Sequence, residues 1–78
     1  MLKVTRREQV ATEHKGYKLV QYIDDMFGET FCNAEVYKDG KLQAHATTRE
    51  IMHGERAKAY IENHIEVMER IFNNGNKD

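Results

Sequence analysis

Between Phe31 and Thr47 apolar and polar residues alternate on either side of Lys38-Asp39-Gly40, and this segment restricts the chain more than any other. Alternation of period two belongs to a strand with one buried face. Asp-Gly between two such runs is a strong short-range hairpin signal. A two-residue Asp39-Gly40 turn would mix polar and apolar side chains on both faces, which a half-buried strand pair resists. A three-residue loop with Gly40 in the left-handed conformation of a bulge avoids that mixture. It sets Cys32, Ala34 and Val36 against Ala46, Ala44 and Leu42, and sets Asn33, Glu35 and Tyr37 against His45, Gln43 and Lys41. The bulged register is therefore the expected one.

Upstream, Val4 to Thr12 and Tyr17 to Asp24 are rich in Val, Thr, Tyr and Ile and read as two further strands joined across His14-Lys15-Gly16. A three-residue loop places Val10 opposite Val20 and Arg6 opposite Asp24. A two-residue loop places Arg7 opposite Asp24 and Glu13 opposite Lys18. Both pairings bring opposite charges together, so both stay open.

From Gly54 to Phe72 the period becomes helical. At 100° per residue, Val67, Tyr60, Ile71, His64, Ala57, Met68, Ile61, Phe72 and Ile65 share an arc about 160° wide. A core-facing stripe needs only about 100°. Glu55, Glu62, Glu66 and Glu69 gather opposite. Thr47-Thr48-Arg49-Glu50 fits a capping box, with Ala46 and Ile51 placed for a hydrophobic staple. A continuous helix would put Ile51 and Met52 on the acidic side, which predicts a break of phase at Gly54. The expected architecture is α+β: a four-stranded antiparallel β-meander followed by a long C-terminal amphipathic helix (ββββα). One domain spans residues 1–78, with the sheet over about 2–47, the helix over about 48–73 and a frayed tail at 74–78.

A domain of this length has a thin core, and a single small core rarely supplies more than about 3–5 kcal/mol. The single cysteine, Cys32, excludes an internal disulfide, and the four histidines show no zinc spacing with it. Self-association is then the first extra support to expect. The N-terminus lacks the apolar stretch of a signal peptide and no run is long enough to span a bilayer, so a cytoplasmic protein without membrane contact is expected. A net charge of -1 argues against a generic polyanion binder. Residues 1–23 nevertheless carry five Lys/Arg against two Glu, so an anion site would lie on the N-terminal strands.

The groups that could carry chemistry have plainer explanations. Asp24, Asp25 and Glu29 lack the alternation and central glycine of a calcium loop and fit a solvated connection between strands. Cys32 and His45 fall on opposite faces, so Cys32 is expected as a small buried hydrophobe. His64, inside the helix arc, is expected as a core-edge histidine with a hydrogen bond, a pH-sensitive interface group being the sharper alternative. No nucleophile elbow, phosphate-cradling glycine loop or paired-carboxylate spacing occurs. The expectation is a non-enzyme with no metal and no cofactor.

Two surfaces remain. The helix arc is too wide for a sheet of small residues to cover, which makes Tyr60, His64, Val67 and Ile71, with Ile51 and Met52, the candidates for a dimer or partner contact. The open hairpin face carries Phe31, Asn33, Tyr37, Lys41, Gln43 and His45, and with Arg6 and Arg7 it is the candidate ligand or nucleic-acid face, since aromatics on a sheet can stack bases.

Glu35-Val36-Tyr37-Lys38-Asp39-Gly40-Lys41-Leu42 followed by Ala57-Lys58-Ala59-Tyr60-Ile61-Glu62-Asn63-His64-Ile65 resembles the hairpin-then-helix pattern of small accessory proteins of phages and prophages. That resemblance covers about half of the chain and implies a protein that binds a host or defence protein inside a bacterial cell. The order of four strands then a helix is also similar to the whirly class of single-stranded DNA binders and coactivators, whose basic strands are matched only at Arg6, Arg7, Lys15 and Lys18. The expected function is a binding module that acts by protein–protein contact as a homodimer on a protein partner. Single-stranded nucleic-acid binding or transcription regulation is the alternative.

Overall fold

The computed structural model describes residues 4–75. Four strands, β1 (Val4–His14), β2 (Tyr17–Met26), β3 (Glu29–Lys38) and β4 (Lys41–Thr48), are followed by one helix, α1 (Gly54–Gly75). The strands form one antiparallel sheet in the order β1-β2-β3-β4. This is the expected ββββα meander, with β1 and β2 each two residues longer than the sequence pattern indicated.

All three connections use the same turn. Each is a two-residue loop with both residues at positive φ: Lys15-Gly16 (54° and 81°), Phe27-Gly28 (53° and 83°) and Asp39-Gly40 (53° and 76°). These are the type I′ values, whose twist matches that of the flanking strands. Asp tolerates the first position, whereas a bulky aromatic at positive φ is an outlier. Phe27 is 58% exposed, so it gains little packing in return. Replacing Phe27 by Asn is expected to stabilise the domain by about 1 kcal/mol, the lower end of the left-handed penalty. Urea unfolding would read this as a higher midpoint at unchanged slope.

The expected bulged loop at Gly40 is corrected by these angles. The hairpin closes as Lys38↔Lys41 and Tyr37↔Leu42, and the irregularity lies further in, giving Val36↔Ala44, Glu35↔His45 and Ala34↔Ala46. The extra residue is Gln43. A tight turn and an interior bulge keep Ala34, Val36, Ala44 and Ala46 on one face, but every pair beyond the bulge is shifted two residues from the expected one, so Cys32 meets Thr48 rather than Ala46. Leu42 is the cost: it falls on the Tyr37 face and is 51% exposed. In the first hairpin both open pairings are realised in part. The two-residue turn gives Glu13↔Lys18, and a shift between Glu8 and Val10 then gives Arg6↔Asp24.

One sheet face carries Tyr17, Leu19, Gln21, Ala34, Val36 and Ala44, and α1 lies across it. Leu19, Ala34 and Val36 are buried with Ala57 and Ile61, and Tyr17, Ala44, Met52, Tyr60 and Ile65 pack around them. Small residues at 34, 44 and 57 let the helix approach closely. Cys32, opposite Ile23 and Thr48, shares this face as expected but is only half-buried rather than buried.

The capping box does not form. Thr47 and Thr48 belong to β4, where the Thr47 hydroxyl donates to Asn33 Oδ1 (2.8 Å) and the Thr48 hydroxyl to the Glu50 carbonyl (3.2 Å). Residues 49–53 cross over the sheet without helical structure. Gly54 is at φ +54°, a value that favours glycine, and it opens the helix. Gly54 is thus where the helix begins rather than where it changes phase, and the expected helical turn before it is absent. Of the expected tail 74–78, residues 74 and 75 continue the helix, and residues 76–78, like 1–3, lie outside the described residues.

The crossover is held from below. Buried Gln21 (1% exposed) donates from Nε2 to the Met52 carbonyl and accepts from the Met52 N–H at Oε1, both at 2.7 Å. This closed amide pair satisfies both main-chain groups where no ladder can reach. Met52, expected as an exposed contact residue, packs against the core instead, and Ile51 is half-buried beside it.

Candidate functional sites on two unpartnered surfaces

Among the described residues no other element covers the sheet face turned away from α1, yet Asp24 (4% exposed) and Val20 (5%) are buried on it. Arg6 covers Asp24. Its Nε and Nη2 donate to the two carboxylate oxygens of Asp24 at 2.7 and 2.8 Å, and Nη1 donates to Glu35 at 3.1 Å. The guanidinium lies 4.2 Å from the centre of the Tyr22 ring. Asn33 donates to Asp24, Thr47 donates to Asn33, and the Tyr37 hydroxyl donates to Glu35 at 2.6 Å. One network therefore crosses all four strands through Arg6, Asp24, Asn33 and Thr47, with Glu35 and Tyr37 as a branch.

The network sets the charge states. Arg6 hydrogen bonds hold the Asp24 carboxyl below its ordinary value against the opposing effect of burial, with Asn33 adding to the shift. The bond to Asp24 raises the Arg6 guanidinium further, so it stays charged at every accessible pH. The hydrogen bond to Glu35 pushes the Tyr37 phenol up to about 12. Burial, then the charge of Glu35, raises Tyr22. These polar groups satisfy one another.

The expected open-face residues are brought together in part. Arg6, Phe31, Asn33 and His45 line one depression of about 410 Å³ with Asp24 and Glu35, and Phe31 is 36% exposed at its edge. Tyr37 lies in the neighbouring groove. Arg7 and Lys41 do not join them. Arg7 pairs with Ile23 and Lys41 with Lys38, which places both on the helix side, and Gln43 sits in the β4 bulge. Arg7 is bound to Asp25 (3.2 Å), and Asp25 also accepts from Thr30 at 2.7 Å. Asp24, Asp25 and Glu29 are thus not a solvated connection: Asp24 and Asp25 lie within β2 ahead of its last residue, Met26, Glu29 begins β3, and the turn is Phe27-Gly28. Among the described residues no group of three His, Cys, Asp or Glu is placed to hold a metal.

The second surface is the distal helix. Every residue from Glu66 to Asn73 is exposed, so the last turns carry Val67 (38%), Met68 (40%) and Ile71 (58%) into solvent. Val67 and Ile71 were expected to be left over. Tyr60 was too, but it is half-buried on the core and lines a small depression of about 210 Å³ with Asn63, His64 and Val67. Glu62 does not lie on a free acidic face. It accepts from His14 at Nε2 (2.6 Å), with Lys15 at 3.5 Å, and the His14 hydrogen bond and then the Lys15 charge lower its carboxyl. His64 meets the edge of the Tyr17 ring (centroids 5.7 Å apart, 74° between planes), and Lys38 Nζ lies 4.8 Å from that ring's centre. The expected hydrogen bond of His64 is not made: its buried Nε2 has no partner among the described residues.

Sequence reasoning missed Gln21 and underrated Asp24. A glutamine alternating with Leu19 on the helix side was a legible signal for a polar anchor. No described helix is long and apolar enough to cross a membrane. Comparison of the chain with protein-family models, with curated proteins and with solved structures gives no match.

Proposed function

We propose that the protein is a non-enzymatic binding module that acts by protein–protein contact and pairs with a second copy through the distal half of α1. The observation that carries this is the solvent-exposed stripe of Val67, Met68 and Ile71 beyond the last core residue, Ile65. An apolar stripe on a helix that has run past its own sheet is a partner surface. Glu66 and Arg70 pair with each other along the helix at 3.1 Å on the side away from the stripe, so a two-fold partner would meet apolar side chains at the seam. The open-face polar groups support a non-catalytic role, since Arg6, Asp24, Glu35 and Tyr37 are spent on one another. A protein target inside the cell is what the resemblance to phage accessory proteins implies.

A stripe of three or four side chains per copy makes a small interface, so a dissociation constant of about micromolar order is expected. Light scattering behind size exclusion should give about twice the 9.2 kDa chain mass at high micromolar concentration. Val67→Glu with Ile71→Glu should return the mass to one chain while leaving circular dichroism unchanged. A wild-type protein that stays at 9.2 kDa overturns the dimer.

A further inference from the structure

On the open face a groove of about 570 Å³ runs beside the Arg6 network, lined by Glu8, Glu13, Lys18, Tyr22, Tyr37 and Asp39. Buried Val20 also lines it, and no described element covers it. Two rings and an apolar contact give it the character of a recognition groove rather than a charged plain. Its walls carry three carboxylates against one ammonium. Glu8, Glu13 and Asp39 make no hydrogen bond or ion pair with any described residue, so their charge is directed at solvent.

Arg6 supplies an internal example of a cation held on this face. Arg6 is an arginine laid over the Tyr22 ring at 4.2 Å and gripped by two carboxylates. The groove continues from that same ring and offers a second tyrosine and three further carboxylates. Guanidinium groups stack on aromatic faces and take carboxylates bidentately, and lysine ammonium does the first less well and the second as a point charge. We propose that this groove docks an arginine-bearing stretch of a partner protein, the guanidinium lying against Tyr22 or Tyr37 and pairing with Glu8 or Glu13. A polyanion such as nucleic acid meets the wrong sign of charge here. The groove is separate from the distal helix stripe, so a dimer paired through α1 leaves two copies of it free.

The probe is a fluorescein-labelled hexapeptide of alternating glycine and arginine, titrated into the full chain at low salt and followed by anisotropy and by amide chemical shifts. Saturable binding is expected, with shifts concentrated at Val20, Tyr22 and Tyr37. Affinity should fall at least tenfold in Glu8→Gln/Glu13→Gln, where both exchanged side chains are exposed, and equally when the peptide's arginines are replaced by neutral citrulline. The proposal is overturned if the citrulline peptide binds as well, if the shifts fall along Glu55, Glu66 and Glu69 of the helix, or if labelled oligothymidylate binds this face more tightly than the peptide.

Discussion

Gln21→Ala is expected to leave the domain only marginally folded at 25 °C. The side chain is 1% exposed and makes both hydrogen bonds that hold Met52 over β2. Each such bond contributes only about 0.5–1.5 kcal/mol net, but a buried group left without a partner costs about 1–3 kcal/mol. Truncation orphans the Met52 N–H and carbonyl together, and water entering the vacated space recovers part of that. A loss of about 2–4 kcal/mol remains, against a total stability of about 3–5 kcal/mol for a core this small. Melting should fall by about 10–30 °C, at 4–8 °C per kcal/mol for a domain of this size. Concentration must be held fixed, because any dimer contributes to the measured value.

Gln21→Glu separates the hydrogen bonds from the packing. Ionised, the new carboxylate is buried and faces the Met52 carbonyl with no proton to donate. Protonated, it reproduces the donor and acceptor of the amide. Burial raises the folded-state pKa of such a group above its unfolded value, so its stabilising contribution is present at low pH and is lost as pH rises through the folded value. The variant should thus be far weaker than wild type at pH 7 and close to it near pH 4. A melting deficit for Gln21→Glu that is constant across that range, or a Gln21→Ala variant within about 0.5 kcal/mol of wild type, would show that Gln21 does not anchor the crossover.

What sequence alone could reveal here was set by the range of the interaction. The period-two pattern from Phe31 to Thr47 and the helical arc after Gly54 are local, and both elements stand where their patterns placed them. The side-chain parity of Ala34, Val36, Ala44 and Ala46 was legible because a half-buried strand pair admits only registers that keep apolar residues together. The turn type was not legible, because a tight turn with a bulge at Gln43 and a looser loop at Gly40 reach that same alignment of faces. Phe27-Gly28 escaped notice because an aromatic rarely takes positive φ. Thr47-Thr48-Arg49-Glu50 has the spacing of a capping box, but Thr47 is captured by Asn33 on the neighbouring strand, a long-range contact that spacing does not contain. The open-face site was half visible for the same reason. Parity put Asn33, Glu35, Tyr37 and His45 on one surface, while the charge of that surface depends on Arg6 meeting Asp24 across β1 and β2.

Arg6→Met is expected to destabilise the domain by about 2–3 kcal/mol at pH 7, below the 3–5 kcal/mol of a fully buried broken pair because the Arg6 side chain is 46% exposed. The loss arises on the partner's side. Asp24, with a side chain only 5% exposed, keeps Asn33 as its one side-chain donor among the described residues and faces Glu35 without the Arg6 cation between them. In the wild type Asp24 titrates below its ordinary value, so its contribution is present above that value and is lost as pH falls through the lowered folded pKa. Without Arg6 the folded pKa moves upward, and protonation then relieves the repulsion instead of breaking a bond. The deficit of Arg6→Met should accordingly shrink as pH falls from 7 to 3, and Asp24→Asn in the same chain should restore part of the loss at pH 7. Melting curves at four pH values in that interval test this, and a deficit that does not change with pH would show that Arg6 acts through packing over Tyr22 alone. The same variant bears on binding. With its own guanidinium removed, the Tyr22 ring and the Glu35 carboxylate become available beside the groove, so Arg6→Met should bind an arginine peptide at least as tightly as wild type at pH 7 even though it folds less stably. A basic residue on this face thus serves the fold by neutralising it, which is the opposite of the role that the basic bias of residues 1–23 suggested.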